Sequence, residues 1–411
     1  MNPISQDFAP PFKLIAPFFI IGGLFYLIAS FFIFSIESGS ISFQDPKVLA
    51  FTHLFLLGFV MMVIFGAMAQ LVPVVLEVGH FGVELFYAIW PLLFIGTSLM
   101  IFGFLFSSAL LPYGGVVVLI SMMIFVAEIF LTMFKVEKFN LVMVSVFLAN
   151  MFLFFGIIFG LIIALTYAGT LDFDIISLLR GHVYLVVGGY IFVTVMGLSI
   201  VLVPMFTLSH GFSQRPLELA ITFMSAGVMS VVISSLSNIA LFEYLGYTLS
   251  AVSLGFYFYI IYIIYATRPR KENDAYAISL FFSYIAMLVS VALGVAYFIT
   301  SSQEFLLACG WLFFYGFFAF LITGHIYKIV PFLVWFERFS PLVGKQKVPM
   351  LADMVPYRSS QAQFVFSSVG VILVTVAIII QSDKLMSAGA SFLVVGAFAF
   401  LRSLLYMINF K

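Results

Sequence analysis

Charge is what this sequence has least of. Only 8% of its 411 residues are Asp, Glu, Lys or Arg, against about a quarter in a soluble domain, so a water-soluble globular fold is excluded. A single cysteine, Cys309, rules out an internal disulfide framework and any zinc or iron–sulfur centre made from several thiolates. The 17 basic residues are balanced by 17 acidic ones, and nucleic acid finds no electrostatic footprint. A glycine-rich phosphate loop, an H-E-x-x-H helix and a G-x-S-x-G turn are also missing, which argues against hydrolase chemistry. What abounds is apolar: 64% hydrophobic residues, with 54 Phe and 19 Met, and a mean hydropathy of +1.24. Such a chain cannot cover a sizeable extramembrane domain, and its first partner is the lipid bilayer.

Runs long enough to cross a hydrocarbon core of about 30 Å fall near 14–36, 48–76, 82–106, 111–134, 140–168, 181–206, 217–242, 245–267, 275–299, 304–333, 362–382 and 385–408. Their continuous apolarity differs from the alternation of barrel strands, so the expectation is an all-α polytopic membrane protein of twelve transmembrane helices. The start of the chain lacks a basic region before its apolar stretch and reads as the first span, not a removable signal. With the N-terminus inside, 14 Lys and Arg, from Lys13 through Lys135, Lys138 and Arg358 to Arg402 and Lys411, fall on the inner side. Only Lys47, Arg180 and Lys384 fall outside. That asymmetry predicts both termini in the cytoplasm of a bacterial inner-membrane protein. The longest loop, 334–361, is then cytoplasmic and too short for a catalytic domain.

The segments Gly66 to Pro73, Gly197 to Pro204 and Gly324 to Pro331 share G-x4-[LI]-V-P, 131 and 127 residues apart. They close spans two, six and ten. A four-helix unit is even, so its copies run parallel, giving pseudo-repeats of about 1–138, 139–272 and 273–411 within one transmembrane domain. Gly for close packing and Pro near a helix end explain each copy equally well in isolation.

His53 lies thirteen residues before the repeat Gly of span two and His182 fifteen before that of span six. Both fall toward the outer face, where a neutral imidazole serves either as a ligand for haem iron or copper or as a hydrogen-bonded packing residue. His80 and His210 follow the repeat prolines by seven and six residues and read first as turn residues, with a metal or proton-entry role as the rarer alternative. His325 sits beside Lys328 near the inner end of span ten. Glu128 is the carboxylate deepest inside a span and is a candidate for proton relay or cation contact, with no partner legible in the sequence. The Met pairs Met61-Met62 and Met122-Met123 read as packing before copper coordination.

The residues His53 to Phe59, then Val63 to Gly66 and Leu71-Val72-Pro73, resemble the second-span signature of the NnrS family, a divergent branch of the haem-copper oxidase superfamily. Pro11 to Phe19 is similar to that family's opening, and Leu208 to Leu217 to its loop after span six. The resemblance implies a haem-copper oxidase subunit I-like fold, with Gly181-His182 where the superfamily places a copper-ligand histidine. It also implies haem at His53, with Cys309 or a Met on the opposite face, copper or haem at His182, and a link to nitric oxide or respiratory metabolism. The chain departs from the superfamily where span seven lacks a His-His pair, where Cys309 and Trp311 replace the His-x-His of span ten, and where Phe51 replaces the first histidine of span two. A standard binuclear reductase site therefore cannot be assembled. The expectation is a haem- or copper-binding membrane protein; the alternatives are a cofactor-free transporter or metal-delivery protein, in which Glu128 and His325 mark an ion path, and an assembly or scaffold subunit among respiratory or metal-handling proteins.

Overall fold

The structure is a computed structural model that describes residues 8–39, 41–137 and 139–411. Lys138, counted above among the inner-side cations, lies outside the described residues. Among the described residues, twelve helices are long and apolar enough to span a bilayer: α1 (Phe12–Ser35), α2 (Pro46–Leu76), α3 (Val83–Leu105), α4 (Ser108–Met133), α5 (Leu141–Tyr167), α6 (Ile175–Thr207), α7 (Arg215–Ser237), α8 (Ala240–Ala266), α9 (Ala275–Thr300), α10 (Gln303–Arg338), α11 (Tyr357–Ile380) and α12 (Asp383–Ile408). Among the described residues there is no strand. This is a multi-pass, all-helical membrane protein, as the apolar runs require when every backbone group must be satisfied within its own segment.

Helix ends depart from the apolar runs because caps, not hydropathy, set them. α6 begins six residues before its apolar run, where the Asp174 carboxylate accepts from the Ile176 and Ser177 amides; Asp45, Asn140, Asp274 and Ser382 cap α2, α5, α9 and α12 in the same way. α1 has no side-chain cap of its own, and the Glu337 carboxylate takes its Phe12 amide at 2.8 Å. α11 starts on the polar turn Tyr357 to Gln361, which is helical without being apolar. The expected 334–361 loop narrows to 339–356, because α10 continues to Arg338, and it is pinned where Trp335 Nε1 donates to the Pro349 carbonyl at 2.8 Å.

Three helices stand apart. α2, α6 and α10 bury 78%, 83% and 61% of their most apolar stretch, against 50% or less in every other span. Each changes winding midway: Leu54–Met61, Tyr184–Phe192 and Leu312–Phe318 are π-helix, and each then carries an internal proline, Pro73, Pro204 or Pro331.

The chain packs as two compact units, one of Met1–Pro10 and Met68–Lys271 and the other of Pro11–Ala67 and Glu272–Lys411. In the first, a Cβ on Gly197 would sit 1.9 Å from Ser145 Oγ and one on Gly189 2.6 Å from the Phe152 side chain, so α6 touches α5 backbone-close. α3 crosses α4 at Gly96 and Gly114, and α7 crosses α8 at Gly227 and Gly246. In the second unit the same construction recurs. Gly58 and Gly66 press on Phe25 and Phe18 of α1, Gly316 and Gly324 on Ala286 and Leu280 of α9, and α11 crosses α12 at Gly370 and Gly389. Small residues of this kind let membrane helices approach closely enough for dispersion to hold them, since lipid supplies no hydrophobic drive between helices.

Candidate functional site

In the first unit the loop 77–82 after α2 folds back onto α4. His80 Nε2 donates to the Ala69 carbonyl at 2.7 Å, and its Nδ1 lies 2.8 Å from Glu128 Oε1. Glu128 Oε1 also accepts from the Thr132 hydroxyl at 2.7 Å and the Phe81 amide at 3.1 Å. Phe86 closes the other face of the imidazole, ring centroids 4.8 Å apart. Lys135 Nζ donates to the Gly79 and His80 carbonyls and so clamps the loop from α4's end. The side chains of His80 and Glu128 are 3% and 0% exposed.

The proton count of this pair follows from its partners. With Nε2–H committed to Ala69, the contact between Nδ1 and Oε1 needs one proton, carried by the imidazole or by the acid. Two other donors already reach Oε1. Glu128 Oε2 is buried and accepts no hydrogen bond among the described residues. A buried carboxylate oxygen left open is costly, of order 1–3 kcal/mol or more for a charged group, and it offers a ready acceptor to a proton or small cation.

The other histidines are arranged differently. His182, two residues before the π segment of α6, donates Nδ1–H to the Gly156 carbonyl at 2.8 Å, and its ring lies over Gly160 of α5. His210 is exposed in the turn after α6 and bonds only to the Leu208 carbonyl at 3.1 Å. In the second unit, His53 Nδ1–H donates to Leu49 at 2.8 Å and His325 Nδ1–H to Leu321 at 2.7 Å, with Tyr276 edge-on to the His325 ring. Lys328, beside His325, donates to Asp274, the residue that caps α9. Among the described residues no three His, Cys, Asp or Glu side chains gather as a metal-binding group. The structure joins Glu128 to His80, the partner that sequence alone did not reveal, while His53 and His182 belong to different units.

His53 and Cys309, the pair that the resemblance sets about a haem, lie apart from each other in different surroundings. Phe51 stacks on Trp311 with centroids 6.1 Å apart, Trp311 on Tyr315 at 4.5 Å, and Phe55 on Tyr315 at 4.7 Å. These rings pack α2 against α10. Phe51 and Phe55 share the side of α2 that meets α10, so His53, two residues from each, lies on the other side. Cys309 turns toward α9, its Sγ 3.4 Å from Ser290 Oγ. The structure thus does not bring His53 and Cys309 together.

Gly189 and Gly316 carried no motif in the sequence, yet each precedes a repeat glycine by eight residues, as does Gly58 of the resembled signature. The longer pattern G-x7-G-x4-[LI]-V-P was the available signal. No protein-family model and no curated protein matches this chain.

Proposed function

We propose that this protein is a membrane transporter that carries a proton, alone or with a small cation, and that His80 and Glu128 are its protonatable centre. The observation that carries this reading is the open, buried Oε2 of Glu128 beside a His80 contact that holds one proton. An acid inside a span is expensive and is retained where it faces a pathway or a partner. Here it has a partner and a vacant acceptor oxygen. Loading Oε2 with a proton or cation weakens the hold on His80, Phe81 and Thr132, so binding at the carboxylate is coupled to the grip on loop 77–82.

Three parallel four-helix repeats are the architecture this reading adopts. The recurrence of π segment, paired glycines and proline in α2, α6 and α10, together with the Gly–Gly crossings of α3 with α4, α7 with α8 and α11 with α12, supports it. This reading puts both termini in the cytoplasm of a bacterial inner membrane, which the Lys and Arg distribution supports.

The test is proton flux into proteoliposomes that enclose a pH-sensitive dye, under an imposed pH gradient and membrane potential. The wild type is expected to acidify the lumen faster than empty vesicles, with Glu128→Gln and His80→Ala at background and Lys345→Gln unchanged. A wild type no faster than empty vesicles, or a fully active Glu128→Gln, rejects the proposal.

A second reading keeps the resemblance to the haem-copper superfamily and is favoured by one observation. His182 spends Nδ1–H on a backbone carbonyl, which is how a ligating histidine is oriented so that Nε2 faces a metal. On this reading His182 would hold copper or haem and give the protein a role in nitric oxide or respiratory chemistry. An absorption spectrum with metal analysis on purified protein, before and after dithionite, decides: a metal or Soret signal lost in His182→Ala supports it, and a featureless, copper-free wild type removes it.

A further inference from the structure

Several cations elsewhere have partners, among them Arg180 with Glu243, Arg215 with Glu218, Lys328 with Asp274, Arg338 with the Phe410 carbonyl and Lys135 with two carbonyls. Arg358 and Arg402 differ. They line one groove of about 910 Å³ where α11 and α12 meet, with Tyr357, Ser359, Phe398 and Tyr406. Among the described residues neither guanidinium has an ion-pair or hydrogen-bond partner. Acids close to them in sequence are engaged elsewhere, since Asp353 accepts from the Met350 amide.

α11 and α12 pack closely beside the groove. Ser359 Oγ donates across to the Ala399 carbonyl at 2.9 Å, and Gly396 admits Ser367 so closely that a Cβ there would lie 2.3 Å from its Oγ. Beyond the arginines both helices turn apolar on the same side. On α11, Val365 and Ile372 follow Arg358 at seven-residue steps; on α12, Phe398 and Val395 precede Arg402 by four and seven. All four are exposed, and the spacing puts each set on its arginine's face. Tyr357 and Tyr406 stand exposed beside the charges, as aromatic residues do at headgroup level.

We propose that this groove binds the phosphate of an anionic phospholipid, held by Arg358 and Arg402, with the acyl chains lying along Phe398, Val395, Val365 and Ile372. A guanidinium fork matches phosphate oxygens bidentately and is less strongly hydrated than an ammonium. Basic pockets between transmembrane helices are a recurrent means of holding anionic headgroups. Charge and aromatic rings at one level, followed along both helices by an apolar stripe, match the headgroup and acyl chains of a lipid, and a free phosphate ion would leave the stripe unused. The proposal is independent of the His80–Glu128 reading.

Full-length protein in nanodiscs provides the test, with phosphatidylcholine alone, phosphatidylcholine doped with phosphatidylglycerol, and phosphatidylcholine with added inorganic phosphate. Native mass spectrometry reads retained lipid and thermal unfolding reads stabilisation. Wild type is expected to retain phosphatidylglycerol and to be stabilised by it. Arg358→Gln and Arg402→Gln should each lower that preference about fivefold, as removal of one basic contact does, and the loop variant Lys345→Gln/Lys347→Gln should keep it. Equal losses in the arginine and loop variants would mean diffuse surface charge and overturn the proposal. So would stabilisation by inorganic phosphate equal to that by the lipid. If the Gln variants do not fold, wild type decides alone: no phosphatidylglycerol carried through purification in neutral detergent overturns it.

Discussion

His80 Nδ1 and Glu128 Oε1 are 2.8 Å apart although 48 residues separate them in sequence, one on a connecting loop and the other on α4. Breaking such a buried pair from one side strands the remaining group, at a cost of about 3–5 kcal/mol. His80→Ala and Glu128→Leu should each be destabilising on that scale, and the double variant should lose less than their sum by about 1–3 kcal/mol. A double-mutant cycle of unfolding in mixed micelles measures this. Additive losses would show that the two side chains do not act as a pair.

Gly197 and Ser145 form the tightest of the glycine contacts, and no rotamer change relieves a Cβ that would also sit 2.5 Å from Ser145 Cβ. Gly197→Ala should therefore force α5 and α6 apart and cost about 1–3 kcal/mol. Removing the opposing side chain restores the space. Ser145→Gly combined with Gly197→Ala should regain most of the loss in thermal unfolding, and absence of rescue would refute the close approach.

Trp311 stacks on both Phe51 and Tyr315, which also stack on each other, whereas Cys309 Sγ lies against the small residues Ser290 and Gly294. Trp311→Ala should cost about 2–4 kcal/mol, at or below the range for soluble cores because in lipid the loss is mainly packing. Cys309→Ser should be close to neutral. Thermal unfolding in one detergent compares them, and equal effects would mean that the ring stack does not hold α2 to α10.

Asp174 caps α6 from outside the span, and the Ser177 hydroxyl and amide hold its carboxyl below the usual carboxylate range. A depressed value in the folded state means the stabilisation is complete above about pH 4 and fades as pH falls through the folded value. The difference in melting temperature between wild type and Asp174→Ala should be constant near neutrality and shrink on strong acidification. A gap that widens as pH falls would contradict the cap.

The twelve spans were legible because lipid demands long apolar helices, and that demand is written residue by residue. Their ends were less so: α6 begins at the Asp174 cap and α11 on the polar turn from Tyr357, and hydropathy marks neither. Glu128 announced itself as an acid in a span, but its partner did not, because His80 reaches it from a loop whose path is set by α2's end and the Lys135 clamp. The glycines at 189 and 316 were visible only as a spacing, whereas Gly58 also stood in the resembled signature. Phe51 and Trp311 could be named as departures from a resembled family, yet that their rings stack on each other required three-dimensional structure.

A π turn takes in one more residue than an α turn, so the helix beyond it is rotated relative to the helix before it. The π segments of α2, α6 and α10 therefore act as tolerance joints for sequence length. An added or lost residue there can be taken up by winding, while the glycine contacts downstream keep their register. His53 and His182 precede their repeat glycines by thirteen and fifteen residues, a mismatch that would turn a rigid α-helix by more than half a revolution. Single-residue insertions within Leu54–Met61 or Tyr184–Phe192 should accordingly be borne far better than the same insertions between Gly66 and Pro73, where no winding change is available to hide them.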